Sequence, residues 1–474
     1  MKRLAWLLLA AAAFAARAGD ITVTKFEPGA PLPKKVLEHV ALKGVIAEFI
    51  DPERSELGKE IAYLLWREVL TAISDQKGAG VILARAPGNE RLVDLLAQNY
   101  HEAAVRIAQG QGARMAVWGS VAESGGRVYV DTYLSLIGEA ERNELLMRLT
   151  TRGADTGLVA RIPRTRFNFA PAETTRDALF RRTVIARAGA VVRAAAGGGR
   201  TLATPKPGQT LQAEGMQGGW FVVRTPSGQG YVDINRVDVP PRQVESGAAE
   251  LVLRAEPARN ARPSGRAAQN GTYQVTDMRY LAGGGLWYRI AAPAGAGWVP
   301  AIAVRPRFSL PVVHFVAGLY RYQLGRWDDA AREFDQYLRA PGVEADNASY
   351  ATACQLLGAS RLASASRAES LPGASGWEDA FERAIRATPY DPAAYTLRAV
   401  STIAVRRTLD PAVGDLKRAL ELDPQHADTR AALAQISAHA FGTSSRLQPL
   451  KLAPASPALQ RDLEALAKRY AVPR

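Results

Sequence analysis

The stretches Gly218–Val232, GGWFVVRTPSGQGYV, and Gly285–Val299, GLWYRIAAPAGAGWV, share one frame: a glycine, a tryptophan in an apolar run, then Gly-aromatic-Val. Trp220 and Tyr231 stand eleven residues apart, and so do Trp287 and Trp298. A shared internal spacing of this kind marks a repeat. The frame extends upstream: Val191-Val192-Arg193 and Lys206-Pro207-Gly208-Gln209 precede the first copy, Val252-Leu253-Arg254 and Gln269-Asn270-Gly271 the second. After Pro171, glycine, proline and arginine rise and helical periodicity disappears. Residues 181–240 and 248–308 are therefore read as two small β-barrels of five or six strands, so small that aromatic side chains must supply much of each core.

The charge of the chain sits on this repeat. The 474 residues carry 60 Lys plus Arg against 46 Asp plus Glu, a formal +14. Residues 176–308 hold 18 basic against 8 acidic residues, whereas residues 19–175 hold 19 against 20 and residues 309–474 hold 20 against 18. A hydrophobic content of 47% excludes a mostly disordered chain, and the single cysteine excludes an intrachain disulfide and a Cys₄ zinc site.

At the other end, Lys2 and Arg3 precede the apolar run Leu4 to Ala16, which closes on Ala16-Arg17-Ala18. This is the pattern of a secretory signal over residues 1–18, too short to span a bilayer comfortably; an uncleaved N-terminal anchor is the alternative. Removing it leaves 57 basic against 46 acidic residues and no later run long enough to cross a membrane. The expectation is a chain placed in the periplasm or secreted, with no transmembrane segment after cleavage and with nucleic acid excluded as a partner despite the basic balance.

Residues 20–152 read as an α/β domain. Leu42 to Ile50 is a strand, Ser55 a candidate helix cap, and Leu57, Ile61, Leu64, Leu65 and Val69 recur at helical spacing toward a sheet. Val81 to Arg85 is a buried strand, and Arg91 to Gln109 a second amphipathic helix. Two strands follow, Met115 to Ala122 and Arg127 to Ile137, joined at Ser124-Gly125-Gly126, with Glu144 to Thr151 expected to pair beside them. Residues 153–180 are expected to be a linker.

The segment Ile107-Ala108-Gln109-Gly110-Gln111-Gly112-Ala113-Arg114-Met115-Ala116-Val117-Trp118-Gly119-Ser120-Val121 resembles one in envelope proteins of the TolB N-terminal, FlgO and LpoB/CsgG type. Those relatives assist envelope or secretion assemblies and are not known as enzymes. Lys43 to Phe49 stands where that family has its VAVLPF strand. Each copy of the β repeat resembles a bacterial SH3-like (SH3b) domain, and the resemblance implies a ligand of the envelope, such as peptidoglycan or a peptide. On that reading Tyr231, Tyr288, Arg289 and Trp298 are candidates for a ligand groove, and Trp220 and Trp287 for the core.

Residues 309–440 alternate helical segments. Gly318, Gly325, Trp327, Ala330, Phe334 and Leu338 occupy the positions of a tetratricopeptide (TPR) repeat, which this segment resembles. A second pair runs Ser349 to Ser366 and Trp377 to Ala387 around a polar insert, and Ala419 to Pro424 resembles a repeat ending, with Thr429 to Ala440 as a capping helix. Such arrays bind peptides in a groove of first helices; carried onto the first repeat, that groove is Phe315, Leu319 and Tyr322, of which Phe315 and Leu319 could equally pack on the preceding barrel. Residues 441–474 read as a Ser/Pro linker and a last amphipathic helix.

No pattern for chemistry emerges. The five histidines, His39, His101, His314, His426 and His439, are scattered without metal-ligand spacing, no Walker sequence or Gly-x-Ser-x-Gly elbow occurs, and Cys354 lies among apolar helix residues. No catalytic, cofactor-binding or metal-ligating residue is assigned. The sequence thus points to a multidomain α+β protein: an α/β sandwich, two SH3-like barrels and an α-helical TPR-like array. The function expected is that of a non-enzymatic scaffold, with the barrels on peptidoglycan or another anionic envelope component and the repeats on envelope proteins. The alternative is a cell-wall hydrolase or an activator of one.

Overall fold

The computed structural model describes residues 40–470 apart from 54, 75, 77, 85–99, 138–144, 152–153, 163–164, 227, 248–249, 282–284, 294, 369 and 445. Among these the chain is mixed α+β with eleven helices, and it divides into two compact units. Unit 1 holds the described residues through Leu134 and Pro171–Val313; unit 2 holds Ser135–Ala170 and the described residues from His314 onward. The leader expected at 1–18 and residues 91–99 of the second expected helix lie outside the described residues.

Unit 1 opens with β1 (Leu42–Ala47), α1 (Leu57–Ala72), β2 (Ala79–Ala84), α2 (Tyr100–Gly110), β3 (Met115–Ser124) and β4 (Arg127–Leu136). The sheet order is β2-β1-β3-β4, with β1 parallel to both neighbours, Val45 lying opposite Ile82 on one side and Ala116 on the other. Gly119 is required where β3 passes under Phe49: a Cβ there would lie 2.3 Å from the Phe49 ring and 2.1 Å from the Asp131 carbonyl oxygen. Ser55 does not cap α1. The helix starts behind Glu56 in the left-handed region, and the Ser55 hydroxyl donates to Asp51, 3.1 Å.

The chain next contributes β5 (Leu145–Thr151), β6 (Ala154–Ile162) and β7 (Arg166–Asn168) to unit 2. The expectation that Glu144 to Thr151 extends the first sheet is wrong: β5 pairs antiparallel with β6, and it is β7 and β8 (Ala172–Thr174) that join β4. The stretch 153–180, expected as a linker, is instead these strands followed by α3 (Arg176–Phe180), whose cap Thr175 accepts the Ala178 N–H at 3.1 Å.

Back in unit 1, β9 (Arg182–Ala186), β10 (Val192–Ala195), β11 (Gly198–Ala203), β12 (Thr210–Gln217), β13 (Trp220–Thr225), β14 (Gly228–Asp233) and β15 (Val237–Asp238) form one sheet. Its order is β11-β10-β14-β13-β12-β9-β15. The next seven are β16 (Gln243–Ser246), β17 (Leu251–Arg254), β18 (Pro263–Ala267), β19 (Thr272–Leu281), β20 (Gly285–Ala292), β21 (Gly295–Pro300) and β22 (Val304–Arg307). They run β18-β17-β21-β20-β19-β16-β22, the same path strand for strand. The repeat read from two tryptophan frames is thus a duplication of an entire topology. Two details differ from expectation: each module has seven strands in an open order and neither is closed into a barrel, and the second begins at Gln243, ahead of residue 248.

The Gly-aromatic-Val endings have a common steric cause. A Cβ on Gly230 would lie 2.5 Å from Val192, and one on Gly297 would lie 2.6 Å from Leu253, so at the same place in each module an apolar side chain from β10 or β17 covers bare backbone.

From His314 onward unit 2 is helical: α4 (Val312–Gln323), α5 (Trp327–Arg339), α6 (Asn347–Arg367), α7 (Trp377–Ala387), α8 (Pro392–Arg406), α9 (Asp410–Leu422), α10 (Ala427–Ala440) and α11 (Pro457–Arg469). Small residues let the paired helices close: a Cβ on Gly318 would meet the Phe334 ring at 2.7 Å, and one on Gly358 the Phe381 ring at 2.7 Å. Residues 441–455 are anchored rather than a free linker. Leu447 and Leu450 are buried, and the Ala453 N–H donates to the Arg407 carbonyl, 3.2 Å. Helix α11 folds back on α10.

Candidate functional site

In the second module of unit 1, side chains alternate across each strand. Tyr288, Ile290, Met278, Val299 and Leu253 belong to one apolar core, so Arg289, Trp298 and Arg254 point to the opposite face. Trp298 lies in register with Arg289 on β20 and with Arg254 on β17. The Arg279 guanidinium covers its ring at 5.0 Å from the centroid, a cation–π contact that leaves Trp298 only 5% exposed. Asp277 lies opposite Arg289 and 3.8 Å from Arg279. Burial raises its carboxyl above the usual carboxylate range, against the Met278 N–H and the two arginines, which pull it down. Three arginines therefore gather around one buried aromatic ring, two of them beside Asp277, an arrangement with cationic donors for an anion.

This sorts the four residues expected to line a groove. Arg289 is exposed, whereas Trp298 beside it is buried under Arg279 and lines no open groove. Tyr288 is corrected: it is part of the apolar core, because it alternates with Arg289. Tyr231 takes the place of Trp298 in the first module, half-buried, with Arg193 and Val222 as register partners and Gln229 Nε2 donating to its hydroxyl at 3.4 Å. Valine where the second module has Arg289 makes that face less cationic. Trp287 is buried and Trp220 half-buried, in keeping with structural roles. The arginine of each Val-Arg or Leu-Arg pair also pins its own hairpin, Arg193 donating to Gly199 O at 3.3 Å and Arg254 to Ala261 O at 2.9 Å. Arg254, Arg279 and Asp277 were not singled out in the sequence; the Leu253-Arg254 pair was the one signal there, since the frame puts its arginine beside the aromatic position.

A second polar cluster in unit 1 joins α1 to α3, to the first module and to Ser309 just beyond the second. Glu60, Arg67, Glu68 and Thr71 are buried even though they are polar. Glu68 pairs with Arg182 at 2.8 Å and accepts the Ser309 hydroxyl at 2.8 Å and the Ser309 N–H at 3.0 Å. Arg67 donates to Val237 O and, at 3.0 Å, to Asp238, while the Thr71 hydroxyl donates to Val239 O, 3.0 Å. Burial lowers the Arg67 pKa. Glu60 accepts the Gly218 N–H at 3.1 Å and Arg176 Nη1 at 3.2 Å, and burial raises its carboxyl to about 7 in spite of both. The cluster is a joint: side chains of one helix reach β9, β15, α3, the turn at Gly218 and Ser309.

In unit 2, Phe315, Leu319 and Tyr322 are all buried. Phe315 packs among aromatic rings of unit 2. Its ring lies 5.0 Å from those of Phe167 and Phe169 and 5.2 Å from Tyr337. Alternate helices bind the backbone of the same segment: Ser349 on α6 donates to Asn168 O at 2.7 Å, Asp428 on α10 accepts the Arg161 N–H at 2.8 Å, and Gln435 on α10 donates to Gly157 O at 2.7 Å. Near them Glu333 bridges His314, 2.7 Å away, and Arg321; burial would raise its carboxyl, but these two partners outweigh it and the net shift is downward. Cys354 is buried in α6, and desolvation pushes its thiol up to about 12, far from a nucleophile's range.

No family model matches the chain, and no curated protein does. Among solved structures it is similar to NlpC2 and NlpC1 from Trichomonas vaginalis, each at 14% identity and a TM-score of 0.15, over 27% and 26% of this chain. The matches span about half the length of those structures, 48% and 45%.

Proposed function

We propose that this chain is a non-enzymatic adaptor of the cell envelope, acting in the periplasm or after secretion, with its duplicated modules serving as SH3-like binders of an anionic wall or surface polymer such as peptidoglycan. The observation that carries this reading is the set Arg254, Arg279 and Arg289 around Trp298, on the part of the chain that holds nearly all the surplus charge. Guanidinium groups hold carboxylates and phosphates by paired hydrogen bonds. The helical hairpins of unit 2 serve, on this reading, as a TPR-like array for protein partners.

Co-sedimentation of the full chain with purified peptidoglycan tests the first part. An Arg279→Gln/Arg289→Gln variant is expected to lose at least about 5-fold in retention, and wild-type retention is expected to fall as salt rises, since exposed cations are screened. Equal retention of both proteins overturns the assignment of this face.

A further inference from the structure

The two modules of unit 1 share one topology and differ in the side chains they hang on it. In the second, a cross-strand row runs Arg254-Trp298-Arg289-Asp277 over β17, β21, β20 and β19. The matching row of the first is Arg193-Tyr231-Val222-Gly215 over β10, β14, β13 and β12. Each row ends beside a β-bulge at the same place, between Ala213 and Gly215 in one module and between Val275 and Asp277 in the other. A bulge re-aims the side chain next to it. The first module makes that bulge with a glycine, so the scaffold does not require an acid there; the acid stands where Arg289 lies opposite and Arg279 follows two residues on. Asp277 is buried, whereas Arg279 and Arg289 are exposed. Its Oδ1 accepts the Met278 N–H at 2.8 Å, and its Oδ2 lies 3.8 Å from Arg279, within ion-pair range and beyond a hydrogen bond. The carboxylate therefore offsets the charge of Arg279 without taking its N–H donors.

We propose that Asp277 is an internal competitor that sets how strongly this face captures an oxyanion, carboxylate or phosphate: ionised, it offsets Arg279 and Arg289 and keeps capture weak; neutral, it leaves both cations to the ligand. This rests on the reading of the face as an anion binder and adds its regulation. The charges acting on Asp277 are those two guanidinium groups. On the other strands packed against β19, Glu245 of β16 pairs with Arg307 and lies opposite Thr272, five residues away, and Arg182 of β9 is engaged by Glu68. Arg254, at the far end of the row, donates to Ala261 O. Burial raises the Asp277 carboxyl, so it takes up its proton at a higher pH than an exposed aspartate does.

The test compares full-length wild type, Asp277→Asn and Arg279→Gln/Arg289→Gln for retention on peptidoglycan, which presents carboxylates, and on immobilised polyphosphate. At about pH 7.5 the asparagine variant is expected to bind at least one matrix about 5-fold more tightly than wild type, the size of one unit charge some 4 Å away in water, and the matrix showing the larger gain identifies the oxyanion. On polyphosphate, which stays ionised, wild-type retention is expected to rise as pH falls from about 7.5 to about 4.5, and that of Asp277→Asn to change less. Retention of Asp277→Asn equal to or below wild type on both matrices, with a loss in the arginine variant, overturns the role of Asp277 and leaves the binding face standing. Equal retention of the arginine variant and wild type overturns the face and the role of Asp277 with it. Should Asp277→Asn not fold, the wild-type profile on polyphosphate decides: a rise on acidification that the arginine variant lacks supports the proposal, and a flat profile overturns it.

Discussion

Glu68 and Arg182, 114 residues apart in the chain, meet in a 2.8 Å ion pair whose side chains are 0% and 1% exposed. One belongs to the helix of the α/β layer and the other to the first strand of the first repeated module. Ser309, just beyond the last strand of the second module, completes the carboxylate's shell. A single buried carboxylate thereby ties three segments of unit 1 together.

Breaking that pair from one side leaves a charge buried without its partner. Arg182→Met is expected to destabilise unit 1 by about 3–5 kcal/mol, and the Glu68→Gln/Arg182→Met double variant to recover a good part of that loss, because the uncompensated charge is gone. Urea unfolding of the three proteins measures both steps. A double variant as unstable as Arg182→Met would show that packing, not the stranded carboxylate, sets the cost.

Glu60 makes the same joint sensitive to pH. Its carboxyl is raised to about 7 in the fold, against an ordinary value of 4.5, so the folded chain holds a proton that the unfolded chain has released. Its contribution to stability is full below about 4.5, declines as pH rises toward about 7, and is lost above that. Glu60→Gln keeps the acceptor for Gly218 N–H and cannot titrate. Thermal melts between pH 4.5 and 7.5 should show a shallower decline in the variant than in wild type; superimposable pH profiles would remove Glu60 from the account.

Gly230 sets how closely β10 crosses β14. Gly230→Ala places a methyl 2.5 Å from Val192 and is expected to cost about 1–3 kcal/mol through overpacking. Adding Val192→Ala makes room and should return part of that loss, read from the shift in melting temperature. A fully additive pair of losses would mean that the two side chains do not meet.

Much of the β repeat was legible from local pattern. The eleven-residue Trp-to-aromatic spacing is set by hairpin geometry, and the glycines within it answer a steric demand that any copy of the hairpin must meet. The helical hairpins were legible for the same reason, since Gly318 under Phe334 and Gly358 under Phe381 are short-range solutions to helix contact. The face proposed for binding was only half legible. Arg289 and Trp298 could be placed by the frame, but Tyr288 was assigned to the wrong face, because which side of a strand is core depends on what lies beneath it. Arg279 comes from a different strand and reaches Trp298 only once β19 pairs with β20.

By itself the sequence determined the kinds of element, their duplication and where the charge collects, because strand alternation, helical periodicity and turn glycines act over a few residues. Only the tertiary structure decided which elements belong together. The described residues of 145–170, read as the end of the first sheet and a linker, fold with helices that begin more than 140 residues later, and the polar side of α1 is buried in ion pairs. Both outcomes are set by burial against partners remote in sequence, and a local pattern carries no record of which distant surface will exclude water from it.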